Sequence, residues 1–136
     1  MDRDAELFQS LAEPTRLRLL HILQRTDGIC VCELVDALRV PQYNISRHLH
    51  ALLNAGWLEG ERCGKWIYYR ISARLRPCQR RLLEAVEMLG RERQDFKQDE
   101  ARTARRLKLR SNGSCCVGLV AKIGTVPRAT ARAVER

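Results

Sequence analysis

Cys30 and Cys32 stand one residue apart in the run Gly28-Ile29-Cys30-Val31-Cys32-Glu33-Leu34. Thiolates are ligands for soft metals and metalloids, so two of them at the head of a short helix make a candidate binding site. The plain alternative is a pair of small buried hydrophobes. In an ideal helix, residues i and i+2 lie about 200° apart around the axis. Ligation of one ion by both sulfurs is therefore expected to use a frayed entry turn or to unwind it. A second pair, Cys115-Cys116, follows the flexible break Ser111-Asn112-Gly113-Ser114. It could bind a trivalent metalloid by itself or be an idle, redox-labile pair.

The elements that must position these thiols are legible in the apolar period. Residues 5–12 form one helical stripe, and Pro14 suits the first turn of a second helix carrying Leu17, Leu20 and Leu23. Asp27-Gly28 ends that helix, and a short helix is expected over about Val31 to Leu38. After the tight connection Arg39-Val40, Pro41 starts a helix running to about Asn54, stopped by Ala55-Gly56. The period then changes to that of strands, Trp57 to Arg62 and Lys65 to Ile71, around Cys63-Gly64. One long helix is expected from about Arg74, its pattern fading near Leu109.

Two short helices joined by a tight turn and followed by a hairpin describe a winged helix-turn-helix. In the helix after Pro41, Gln42, Tyr43, Ser46, Arg47 and His50 are expected to face outward. They can reach base edges and phosphates in the major groove. Arg62, Lys65 and Arg70 on the wing would grip the DNA backbone.

The net charge of +9 is unevenly placed. Residues 1–100 carry 16 basic and 15 acidic side chains, whereas residues 101–136 carry nine and one. The basic tail is either a solvated extension or a source of added phosphate attraction. No stretch reaches the roughly 18 apolar residues of a membrane span, and the N-terminus lacks the layout of a signal peptide. A cytoplasmic protein with reduced thiols is expected. The chain contains no Cys-x-x-Cys and no phosphate cradle, so an enzyme is not expected.

Four segments resemble the ArsR/SmtB metalloregulators, in family order over roughly residues 5–90. They are Leu11-Ala12-Glu13-Pro14-Thr15-Arg16-Leu17-Arg18-Leu19-Leu20, Cys30-Val31-Cys32-Glu33-Leu34, Ile45-Ser46-Arg47-His48-Leu49 and Gly64-Lys65-Trp66-Ile67-Tyr68-Tyr69-Arg70. The Cys-Val-Cys run resembles the arsenic-responsive repressors most closely. The resemblance implies a homodimer, formed through the first helix and the helix after the wing, that leaves double-stranded operator DNA on binding inducer. The expected inducer is As(III), with Sb(III) or an organoarsenical as further candidates, and no cofactor is required.

Where the arsenic repressors carry a third cysteine three positions after the pair, this chain has Val35. A third sulfur would have to come from elsewhere: Cys115 or Cys116 leads, on a level with no third cysteine joining the pair. Cys63, at the wing tip, and Cys78, expected to pack, follow. The metal set is therefore Cys30, Cys32, Cys115 and Cys116. The zinc site known at the last helix of zinc-sensing relatives is not expected, since that helix holds no histidine here. A cadmium- or lead-responsive repressor and a thiol-redox repressor of the same fold are the alternatives.

The resulting expectation is a mostly α fold with a small β-hairpin. Residues 1–98 would form the DNA-binding and dimerising domain. Residues 99–136 would form a basic extension, partly disordered.

Overall fold

The computed structural model describes residues 2–111. Six helices and one hairpin run in the order α1 (Arg3–Leu11), α2 (Pro14–Leu23), α3 (Val31–Leu38), α4 (Gln42–Asn54), β1 (Leu58–Cys63), β2 (Trp66–Ile71), α5 (Pro77–Glu92) and α6 (Gln94–Leu107). Local chemistry sets the helix ends. The Asp2 carboxylate accepts from the N–H groups of Asp4 and Ala5, and Glu13 caps α2 ahead of Pro14. Arg39 takes a left-handed conformation, φ 59°, to end α3, and three residues later α4 begins.

The hairpin is antiparallel with Leu58 opposite Ile71 and Cys63 opposite Trp66. Its two-residue loop is Gly64-Lys65, one position later than expected. Gly64 has φ 67°, and Lys65 has no such positive angle, which is the glycine-first pattern of a II′ turn. Ile29 adds a single rung to the other edge: its N–H reaches Tyr69 O at 3.0 Å, and Tyr69 N–H returns to Ile29 O at 2.9 Å.

The core is built from Leu19, Leu20, Ile22 and Leu23 of α2, Leu34 and Leu38 of α3, Ile45, Leu49 and Leu52 of α4, and Trp57. Trp57 Nε1–H donates to Ser10 Oγ at 2.8 Å, which ties α1 to the root of the wing. No helix among the described residues is long and apolar enough to cross a membrane.

The expected single long helix is two helices. Arg93 is extended, φ −100° and ψ 131°. Its guanidinium pairs with Asp95 and sits 4.8 Å from the Phe96 ring centre. The turn lets α6 fold back onto α3, where Phe96, Asp99, Thr103 and Arg106 become buried. The boundary expected between residues 98 and 99 therefore falls inside a packed helix, and residues 99–111 belong to the folded body. Cys115 and Cys116 lie outside the described residues.

Candidate functional site: a buried thiol pair beside a DNA-reading helix

Cys30 is not the first helical residue of α3 but its N-cap, with extended backbone at φ −95° and ψ 170°. Cys32 is the second residue inside the helix. That difference undoes the 200° separation expected of two helical residues. The two Sγ atoms are 3.3 Å apart with α3 intact, so no unwinding is needed to bring them together. The separation is well beyond the roughly 2.05 Å of a disulfide. Both residues are fully buried.

Charged groups surround the pair. The Glu33 carboxylate accepts from the Cys30 N–H at 3.1 Å, and Arg110 grips both its oxygens at 2.7 and 2.8 Å. Arg110 also donates to Gly28 O at 2.7 Å. The hydrogen bonds to Glu33 hold the Arg110 guanidinium above its ordinary pKa, so it is a fixed cation. Arg106 Nε–H donates to Asp36 Oδ2 at 2.5 Å, and its Nη2 stands 3.9 Å from Cys32 Sγ. Further along, Arg102 donates to Ala37 O and to Asp99. Arg18 from α2 donates to Leu38 O and to both Asp99 oxygens.

Arg102 and Arg106 lie one turn apart on one side of α6, and Arg110, four residues further on, continues the spacing just past its end. They hold α3 from its first turn to its last. Neither the solvated nor the DNA-facing reading of the tail's basicity holds for these three of its nine basic side chains, which bond α3. The i, i+4, i+8 spacing was the available signal, as was Asp36 four residues after Cys32.

The other two cysteines among the described residues do not join the pair. Cys63 is exposed at the end of β1, and Cys78 is exposed rather than packed. Among the described residues no group of three or more His, Cys, Asp or Glu side chains is arranged to hold a metal ion. His21 is buried against Phe96 and bonds Glu100 at 2.7 Å.

On α4, Tyr43, Arg47 and His50 are exposed and Ser46 is partly so, as a groove-reading face requires. Gln42 is a correction. It is 1% exposed because positions 42, 45, 49 and 52 share the buried stripe, spaced i, i+3, i+7, i+10. Its amide nitrogen and oxygen have no hydrogen-bond partner. His48 is buried too, within 3.3 Å of Arg16 and 3.4 Å of Glu13. Burial pushes its imidazole below the ordinary pKa. On the wing, Arg62 and Lys65 are exposed. Arg70 instead pairs with Glu59 and Glu61, so its charge is neutralised within the hairpin.

The α3–turn–α4 pair followed by a hairpin defines a winged helix-turn-helix protein, a class that places its second helix in the major groove. Residues 13–59 match the family described as bacterial regulatory protein, arsR family. An uncharacterized HTH-type transcriptional regulator of Methanocaldococcus jannaschii is 39% identical over 70 residues, covering 52% of this chain and 79% of the relative. The arsenic resistance transcriptional regulator ArsR1 of Pseudomonas putida is 46% identical over 65 residues, 48% of this chain and 51% of its own length. The arsenical resistance operon repressor of Escherichia coli is 43% identical over 67 residues, 49% and 57%. The match thus spans a little over half of the two arsenic-resistance relatives. The crystal structure of the AntR antimony-specific transcriptional repressor superposes with a TM-score of 0.52 at 42% identity, covering 63% of this chain and 75% of that one. The chain belongs to the arsR family of transcriptional regulators.

Proposed function

We propose that the protein is a homodimeric repressor of an arsenic-resistance operon that leaves its operator when trivalent arsenic bonds Cys30 and Cys32. The observation that carries this is the 3.3 Å approach of two buried sulfurs at the start of the helix that packs against α4. A thiophilic centre bridging them would act on the first turn of α3 and tilt α4 away from DNA. A shift of about 1.4 kcal/mol is enough for each tenfold change in DNA affinity. Names of relatives support the ligand class: arsenic resistance for two and antimony for the superposed repressor.

Tyr43, Ser46, Arg47 and His50 would enter the major groove, with Arg62 and Lys65 against phosphates. Phe8 of α1 and Met88 of α5, each 57% exposed, supply apolar surface for the dimer, and two-fold symmetry calls for a roughly palindromic operator. Cys115 or Cys116 is the proposed third sulfur.

The test is fluorescence anisotropy of a duplex from the gene's own upstream region under reducing conditions. Specific binding, released by arsenite in the wild type but not in C30S,C32S, is expected. Release that persists in C30S,C32S would defeat the reading. An unchanged dose response in C115S,C116S would remove that pair from the site.

A further inference from the structure

We propose that Arg106 and Arg110 make the thiol pair selective for a trivalent metalloid hydroxide over divalent thiophilic cations such as cadmium. The inference rests on Cys30 and Cys32 being the inducer site. Two carboxylates stand on the same turns as the sulfurs. Glu33 is three residues after Cys30, and Asp36 is four after Cys32. Such groups ordinarily complete the shell of a divalent ion, which in the case of zinc takes four donors.

Here both are withdrawn. Arg110 occupies both oxygens of Glu33, and Arg106 bonds Asp36 while setting a guanidinium nitrogen 3.9 Å from Cys32 Sγ. An ion settling on the sulfurs would meet cations where it needs anions. In that case the two thiol protons pass to solvent and balance the ion's charge, but the ion is left two donors short of the four it needs, with both nearby carboxylates held by the arginines.

A metalloid hydroxide makes a smaller demand. Each new bond from sulfur to the metalloid forms as one bond from the metalloid to oxygen breaks. The departing hydroxide leaves with the thiol proton as water. Three donors, the two sulfurs and one retained hydroxyl, suffice because a lone pair fills the fourth position, so neither carboxylate is called on. The sulfur spacing agrees. Two metal–sulfur bonds of about 2.3 Å at the tetrahedral angle would hold the sulfurs about 3.8 Å apart. The observed 3.3 Å fits the narrower angle of a pyramidal, lone-pair-bearing centre.

The test is direct binding to the full chain, followed by sulfur-to-metal charge-transfer absorbance, titrating sodium arsenite and cadmium chloride separately. In R106M,R110M the carboxylates are freed, and cadmium affinity should rise by ~tenfold or more, while arsenite affinity stays within about threefold. Adding E33Q,D36N to that variant should cancel the gain. The lysine variants R106K and R110K, which keep the cation, should show no cadmium gain. They also decide the matter if circular dichroism shows the methionine variant unfolded.

Cadmium and arsenite affinities that move together, or a cadmium gain in the lysine variants, would overturn the proposal. A wild type that releases DNA with arsenite while R106M,R110M gains no cadmium sinks this inference alone. A wild type that takes up no arsenite sinks the inducer reading with it.

Discussion

Gly90 of α5 lies flat against the imidazole of His21, and a Cβ at that position would overlap ring atoms Cε1 and Nδ1. The ring cannot swing aside, because Glu100 holds its Nε2 at 2.7 Å and Phe96 packs on it with centroids 5.0 Å apart. Helix propensity alone favours alanine over glycine by about 1 kcal/mol. Overpacking a filled core costs about 1–3 kcal/mol. Gly90→Ala should therefore destabilise the protein by about 1–2 kcal/mol, read as a lower urea midpoint. A midpoint that rises would show that α5 can move away from α2.

Asp99 is fully buried and holds Arg18 and Arg102. Its removal strands two guanidinium groups and loosens the carbonyl contacts at the end of α3. Both arginines are partly exposed, which moderates the penalty. Asp99→Ala should cost about 2–3 kcal/mol and should make α6 the first segment cut in limited proteolysis. A stability change under half a kcal/mol would mean that the α6–α3 contact rests on apolar packing alone.

Acid should weaken the fold in two steps. Burial holds His48 below its ordinary 6.5, so the unfolded chain takes up that proton first. Stability is full above about 6.5 and declines as the pH falls from there to the folded value. Burial alone would raise the Glu100 carboxyl, but the bond from His21 and the charge of Arg25 bring it below its ordinary 4.5. Its contribution is present above about 4.5 and is lost as the pH drops through the folded value. Urea midpoints across the acid range should show both declines. His48→Gln should erase the upper one and Glu100→Gln the lower.

Side chains on α4 should divide sharply. Gln42 keeps an unpaired amide in the core, which carries a penalty of about 1–3 kcal/mol. Gln42→Met should raise stability by about 1 kcal/mol and leave operator affinity alone. Arg47→Ala should lose about 1–3 kcal/mol of operator binding, and Lys65→Ala should lower the salt slope by about 1. A tenfold affinity loss in a stable Gln42→Met protein would show that this side chain turns outward on DNA.

The sequence made the helix-turn-helix legible because its apolar residues keep strict helical spacing from Leu17 to Leu52 and then switch to alternation. The chain reversal at Arg93 left no such mark. Leu89 and Phe96 are seven apart, so the helical period runs through the break, no proline punctuates it, and Gly90 sits inside α5 three residues before the reversal. Gln42 was misplaced because its polarity outweighed its position on the buried stripe. The closeness of the sulfurs depended on one backbone conformation at Cys30, which spacing alone does not disclose. Arg106 of α6 and Arg110 just beyond it looked like part of a solvated charge run, since their partners Asp36 and Glu33 lie far away in the chain, with separations of 70 and 77.

The rung between Ile29 and Tyr69 has a consequence for how such a protein can diverge. The residue before the first sulfur is stitched by two hydrogen bonds to the hairpin, and only three residues separate the end of α3 from the start of α4. Hairpin and helix are therefore mounted on one rigid chassis, like two teeth of a single key. In the proposed repressor, surface substitutions on α4 would change which bases are read, while the spacing between α4 and the hairpin stays fixed unless that rung is broken.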